Sequence, residues 1–366
     1  MKKLLIVSDP PAAPGYLPRL RYLCDYLVQR GYDVTLFTEQ YQPLPFEHAY
    51  PIHTIRMYSG GKLDWFVKTV WTLLTDWHNR AFAQRVLSTF NFHLSPYDAV
   101  LCTAFSDFPL GAAQRIASRL HIPLICDIRD LDEQVDDSRY QYHHQSAWLM
   151  PFRRLYRAIH IRRRNRALRA ADTVTTVSSW HADFIRRFNP NTHIIYNGYD
   201  AAQFYPENIP TDRFTVTYIG SLFAWQQPAL KKVKQAIHEL HLPVTLDMHT
   251  PTDNPVSYNA LGDTIRRSGI MLVLTDEHTH GMLTTKFYEA LGCEKPVLCV
   301  PSDKGALAQL MEYTRAGLAS DDMEQIKAFI QAQYNEWQKN GFTRQTTAHR
   351  EEFSREAQCR QMEKVL

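Results

Sequence analysis

Two uninterrupted apolar runs, GIMLVL at 269–274 and PVLCV at 296–300, bracket a polar loop and a single helical pattern. An apolar run of this length with no polar alternation is a strand covered on both faces. Such strands belong to parallel sheets, and parallel neighbours need a helical crossover between them. The intervening residues supply one. A polar loop over 275–281 is followed by Thr284 and Thr285 where an N-cap is expected, and Gly292 closes the helix. Open α/β sheets bind ligands at the carboxyl ends of their strands, where this loop and helix start fall. Lys286 and Glu289 stand one turn apart on one helix face. A cation and a carboxylate beside an anion-attracting helix N-terminus suit a ligand carrying phosphates and a sugar diol.

The same plan recurs along the chain. LLIVS (4–8), a loop containing Gly15, a helix ending near Arg30 and DVTLFT form an opening unit. YDAVLCTA (97–104), PLICD (123–127), TVTTVS (173–178) and HIIYNGYD (193–200) read as further strands, with helices over 109–120 and 180–187. FTVTYIGSL (214–222) begins a second series with a glycine loop at Gly220-Ser221, a helix over 228–240 and the strand VTLDMHT. The fold class is therefore α/β, with two Rossmann-like halves. The 366 residues, 45% of them hydrophobic, are enough for two cores. The expected domains are 1–195 and 196–345, followed by a charged amphipathic helix within 346–366.

Composition removes several classes. A formal net charge of +3 is close to neutral at this size, so nothing global points to nucleic acid. The six cysteines contain no C-x-x-C pair and read as buried free thiols, not as a disulfide framework or a zinc site. LLIVS is too short for a signal peptide, and no stretch approaches the ~20 apolar residues that cross a bilayer. The chain is expected in the cytoplasm. Residues 9–20 hold one glycine and four prolines, so the dinucleotide fingerprint G-x-G-x-x-G is absent.

Other positions carry chemistry or its alternatives. Gly15 either lets backbone approach a ligand or makes an ordinary turn, and Arg19 at the following helix start either meets that ligand or is solvated. Asp127, Arg129, Asp130 and Asp132 cluster just past a strand end, which favours catalysis or ligand contact over a structural ion pair. Residues 61–87 form a helical pattern rich in tryptophan, phenylalanine and leucine. It reads as a core helix or as an amphipathic helix facing a membrane. Between Phe152 and Arg169 stand eight arginines, either a solvated basic face or a surface for anionic head groups or a phosphate-bearing acceptor.

Gly15…Arg19, DIRD, TVS, NGYD, YIGSL and TTKFYEALGCEKPVL, in this order, resemble glycosyltransferases of the GT-B fold, closest to family 4. The resemblance spans nearly the whole chain. It implies two Rossmann-like domains facing each other across a cleft, a final helix crossing back to the first, and transfer of a sugar from a nucleotide-sugar to an acceptor hydroxyl. The donor belongs to the second domain and the acceptor, a polysaccharide or lipid-linked glycan, to the first. Glu289 is implied to accept hydrogen bonds from the ribose hydroxyls. Gly220 and Ser221 lie against the diphosphate, and Thr284, Thr285 and Lys286 near phosphates or sugar. Gly15 and Arg19 approach the donor phosphates, while Asp127, Arg129 and Asp130 are the candidate catalytic residues. Transfer is expected with retention and without a metal or other cofactor, since no D-x-D occurs at a strand end of the second domain. Peripheral membrane contact through 61–77 and 152–169 is a further expectation, and nucleic acid is not. Two features depart from the family pattern. Position 281, where the first acid of a glutamate pair is expected, is Gly281, and no cation follows Leu222 until Lys231. The alternatives are a nucleotide-sugar epimerase of the same fold, or a non-catalytic subunit of a glycan-assembly complex.

Overall fold

A computed structural model of the chain describes residues 2–8, 18–39, 48–58, 61–89, 97–135, 150–276 and 278–366, the side chains of Lys62 and Trp65 excepted. Gly15 therefore lies outside the described residues. The chain divides into two compact units, Met1–Ile195 with Cys359–Leu366, and Tyr196–Gln358.

The first unit is built on β1 (Lys3–Ser8), β2 (Asp33–Glu39), β3 (Ile52–Ile55), β4 (Ala99–Ala104), β5 (Leu124–Ile128), β6 (Thr173–Thr176) and β7 (Thr192–Ile194). These strands form one parallel sheet in the order β3-β2-β1-β4-β5-β6-β7. Side chains alternate between two cores, as period-two geometry requires. Leu5, Val7, Val100, Cys102 and Cys126 pack with Phe82 and Ile116. Leu4, Ile6, Leu101 and Ile125 pack on the opposite face with Leu23, Leu27 and, from the end of the chain, Cys359 and Met362. Both faces are covered, which explains why the strand sequences are apolar without alternation. The helices are α1 (Pro18–Gln29), α2 (Lys62–Thr75), α3 (Trp77–Thr89), α4 (Leu110–Leu120), α5 (Met150–Ala170) and α6 (Ser179–Ile185). The helical pattern over 61–87 is thus two helices, broken at Asp76, whose φ of 58° is left-handed.

The second unit repeats the design with β8 (Phe214–Ile219), β9 (Val244–His249), β10 (Ile270–Leu274), β11 (Val297–Val300) and β12 (Gly317–Ala319). The parallel order is β12-β11-β10-β8-β9. Its helices are α7 (Gln227–Leu240), α8 (Tyr258–Arg267), α9 (Thr285–Gly292), α10 (Ala306–Thr314) and α11 (Met323–Asn340). Helix α12 (Arg355–Glu363) follows, and its residues from Cys359 onward belong to the first unit. All six cysteines are buried free thiols.

One buried ion pair ties the first sheet to its leading helix. Asp127 on β5 stands in register between Thr103 of β4 and Thr175 of β6. Both threonine hydroxyls donate to it, at 3.2 and 2.7 Å. Arg19, in the first turn of α1, adds a fork of Nε at 3.2 Å and Nη2 at 2.9 Å, and its Nη1 donates to the Ile195 carbonyl at 2.8 Å. Burial works to raise the Asp127 pKa, but Arg19 and the Thr175 hydroxyl outweigh it and hold the carboxyl below its ordinary value. Removing one partner of such a pair strands the other. Asp127→Ala is expected to cost about 3 kcal/mol, read as a lower midpoint in urea unfolding. Because the folded-state pKa is depressed, the pair's contribution is complete above the ordinary carboxylate pKa of 3.8 and is lost as pH falls below it. The wild type therefore has a steeper acid-side loss of stability than Asp127→Asn, and equal slopes would refute the assignment.

Candidate functional site

In a doubly wound sheet the crevice opens where strand order reverses. In the second unit that point lies between β8 and β10, whose chains leave the sheet on opposite sides. Three pieces of the sequence meet there. The Gly220-Ser221 loop follows β8, a loop from Thr275 follows β10, and α9 begins after Thr284. The Thr284 side chain caps α9 by accepting from the Lys286 amide at 3.4 Å. The Phe287 amide donates to the Thr284 carbonyl at 3.2 Å, so of the first-turn amides it is that of Thr285 that is left for a ligand, with the positive end of the helix dipole behind it.

Gly220 and Lys286 are in direct contact. Gly220 has a φ of +125°, which L side chains rarely adopt, and a Cβ there would stand 2.7 Å from Lys286 Nζ. The Lys286 side chain thus lies across the glycine, its ammonium 5.8 Å from the Tyr218 ring centroid. Tyr218 fixes the loop by donating to the Ser221 carbonyl at 2.6 Å, and Gln226 ties it to the end of β10 through the Leu274 carbonyl at 2.8 Å. Ser221 and Thr285 are exposed, and Thr284 is half-buried. Phe223 and Trp225 stack with rings 5.7 Å apart and nearly parallel, and Phe223 is exposed.

Glu289 is 6% exposed, yet its carboxylate makes no hydrogen bond or ion pair among the described residues, nor does the Lys286 ammonium. The two do not pair with each other. Burial raises the Glu289 pKa, opposed by the nearby Arg355 and Lys286 charges, and burial lowers that of Lys286, opposed by Glu289. An unengaged, desolvated carboxylate is costly to a fold that gains nothing from it. Arg355 is itself buried and donates to the Tyr258 hydroxyl at 3.3 Å. Gly281, where the family pattern expects an acid, adopts a φ of 65°. That left-handed backbone is natural for glycine and strained for glutamate.

The carboxyl edge of the first unit is different, because its charges are largely engaged. Asp127 and Arg19 hold each other, so the strand-end cluster does not present Asp127 as a free acid. The Arg129 guanidinium is buried over the Phe105 ring, 4.0 Å from its centroid, and Asp130 is exposed. Asp132 stands 3.7 Å from Arg164, which makes a bidentate pair with Glu133 at 2.7 Å on both arms. Two further pairs escaped the sequence reading. Glu39, at the end of β2, accepts from His78 Nε2 at 2.9 Å, and His78 stacks on Phe108 at 4.0 Å. Beside it Asp107, three residues past β4, accepts a short hydrogen bond from His160 Nδ1 of α5. Asp107 is buried, and neither its second oxygen nor His160 Nε2 has a hydrogen-bond partner among the described residues. In the neutral tautomer whose Nδ1 donates to the carboxylate, Nε2 carries a lone pair. His181, bonded to Ser178 at 2.6 Å, is kept neutral by burial, which pushes its pKa down to about 4. The strand-end logic that singles out Asp127 applies equally to Asp107. Its histidine is 53 positions away in an arginine-rich helix, where spacing gives no sign of it.

Comparison with known proteins bears on the family and the fold. The Glycosyl transferase 4-like domain matches residues 15–198, half of the chain. Anabaena Alr3699/HepE, solved with UDP and glucose, is 14% identical over 100% of this chain and 99% of its own, with a TM-score of 0.66. A glycosyltransferase from Rickettsia africae ESF-5 is 10% identical over 100% and 97%, with a TM-score of 0.57. WaaG, a glycosyltransferase involved in lipopolysaccharide biosynthesis, is 11% identical over 97% and 98%, with a TM-score of 0.55. At these identities the likeness is one of fold. No curated protein matches the chain in sequence. The family match covers most of the first unit and the fold match spans both: the chain belongs to the glycosyl transferase 4-like family and is a glycosyltransferase of the GT-B fold.

Proposed function

We propose that the second unit binds a nucleotide-sugar at the β8/β10 switch point and that the sugar passes to a hydroxyl of a glycan or lipid-linked glycan held by the first unit. One observation carries this reading. At the switch point, Lys286 and Glu289 are placed by a capped helix, and their charged groups make no hydrogen bond or ion pair among the described residues. Glu289 accepts from the ribose hydroxyls. Lys286, the Gly220-Ser221 loop and the Thr284-Thr285 helix start face the diphosphate. The UDP-glucose complex of HepE, a protein of the same fold, supports a uridine nucleotide as the first donor to test. Neither an epimerase nor a non-catalytic scaffold is favoured by a specific observation.

Breaking the bond between the anomeric carbon and the phosphate oxygen builds negative charge on the diphosphate. Fixed donors aimed there supply the largest electrostatic help. In transfer with retention and without a metal, the Lys286 ammonium and the Thr285 amide at the start of α9 perform that neutralisation. The acceptor oxygen bonds to the anomeric carbon, and its proton goes to the departing phosphate oxygen. His160 Nε2 accepts a hydrogen bond from a second hydroxyl of the acceptor sugar and so orients the acceptor, filling a buried position that has no donor among the described residues. Asp107 fixes the imidazole tautomer. Asp127 is a positioning residue that holds Arg19 at the sheet edge.

Glu289→Ala is expected to weaken UDP binding about 10- to 100-fold in calorimetric titration. Undiminished affinity would remove the ribose role. His160→Asn is expected to lower kcat by roughly 100-fold while leaving UDP affinity intact. Asp107→Asn should act on the same step, so the double variant is scarcely slower than either single one. Product anomeric configuration by NMR, with and without chelator, tests the rest. Retention unaffected by chelator is expected. Inversion would transfer the proton-accepting role to His160, and loss of activity with chelator would end the metal-independent reading.

A further inference from the structure

Helix α2 is inside out. Leu63, Phe66, Val67, Val70, Trp71 and Leu74 recur at steps of three and four, which puts them on one helical face. In an ordinary surface helix this face meets the core. Here it meets solvent, with Leu63 76%, Phe66 59%, Trp71 53% and Leu74 71% exposed. The charged residues turn the other way. Lys68 and Asp64 form a half-buried pair at 2.8 Å, and Lys68 also donates to the Met57 carbonyl at 2.9 Å beneath the Tyr58 and Trp77 rings. The orientation is therefore fixed by polar contacts, and an apolar stripe of this length is far more than the scattered exposed residues of an ordinary surface.

Helix α5 is joined to the same place. Arg163 donates to the Thr72 and Leu73 carbonyls at 2.8 and 2.7 Å, closing the C-terminal end of α2. Seven residues back on the same face, about 10 Å along the axis, stands Tyr156. Its neighbours Phe152 and Leu155 are 54% and 55% exposed. Arg154, Arg162 and Arg166 are exposed on this helix, and no acidic residue occurs anywhere in Met150–Ala170.

We propose that the outward face of α2, with the arginine-bearing α5 anchored to its end, docks the protein on an anionic lipid bilayer. Tryptophan, phenylalanine and leucine side chains enter the boundary between head groups and acyl chains, while the arginines meet phosphate and acidic head groups. A second copy of this chain fits the surface less well. An isologous pairing sets the same patch against itself, bringing arginine to arginine with no acid on α5 to relieve them. Among the described residues no helix is long and apolar enough to cross a membrane, so the contact is peripheral. This inference stands apart from the donor site, and its failure would leave the transfer reading untouched.

Flotation of the full chain with vesicles tests it, using phosphatidylcholine alone or mixed with phosphatidylglycerol. The wild type is expected to float with the anionic vesicles about tenfold more than with the neutral ones. The combined Phe66→Ser, Trp71→Ser and Leu74→Ser variant should float with neither, while keeping wild-type UDP affinity and transfer to a soluble acceptor. Arg154→Glu with Arg162→Glu should lose the preference for anionic lipid. A wild type that stays unbound on anionic vesicles overturns the proposal, as do variants that float like the wild type. If light scattering shows a dimer that the triple serine variant dissociates, with no flotation of either protein, the face belongs to a second copy.

Discussion

A parallel sheet delivers every strand's carboxyl end to one edge, and the chain must climb over one face or the other to start again. Where two adjacent strands leave to opposite faces, no crossover covers the gap. In this protein both sheets obey that rule, so each unit owns one uncovered place before any side chain is considered. What the loops carry there decides the chemistry. In the second unit they carry a glycine with a left-handed φ, a capped helix start, a lysine and a glutamate.

The two edges treat charge in opposite ways. Around β5 the carboxylate of Asp127 is saturated by two threonines from the flanking strands and by an arginine fork. Such a group is a fastener: its energy is already committed to the fold. Around α9 the Glu289 and Lys286 charges are desolvated and only partly offset, by each other and by Arg355, with no hydrogen bond or ion pair among the described residues. Folding tolerates such a defect where a ligand supplies the missing partners, and the lowered stability is the counterpart of affinity. The Asp107–His160 pair lies between these extremes, engaged on one side and open on the other.

Much of this was legible in the sequence because period and burial are local properties. The uninterrupted runs at 4–8, 99–104, 124–128, 270–274 and 297–300 are strands, and Thr284 caps its helix. Strand β3 and the helices α8, α10 and α11 did not stand out. Strand β3 is four residues long and only its last is buried, so its sequence carries little apolar signal. The direction of α2 was illegible for a different reason. Periodicity reveals that a helix has an apolar face but not what that face meets, and Lys68 settles it through a carbonyl eleven residues away. Asp127 was correctly placed at a strand end, yet only the register with Thr103 and Thr175 reveals that it is enclosed. His160 needed a partner 53 positions distant, which no spacing rule could bring to it.

Gly281 bears on how such a site can be altered. Its φ of 65° means that the loop before α9 turns at this residue through a conformation glutamate resists. An acid introduced at this position alone would meet backbone strain before it met a sugar hydroxyl. The whole 275–284 connection is therefore the unit of change, in length and in dihedral angles. Under the proposed donor reading, a site with two acids and one with a single acid are in this sense two loop geometries, and sugar preference can diverge between them while the nucleotide end, which that reading gives to α9 and Gly220, stays as it is.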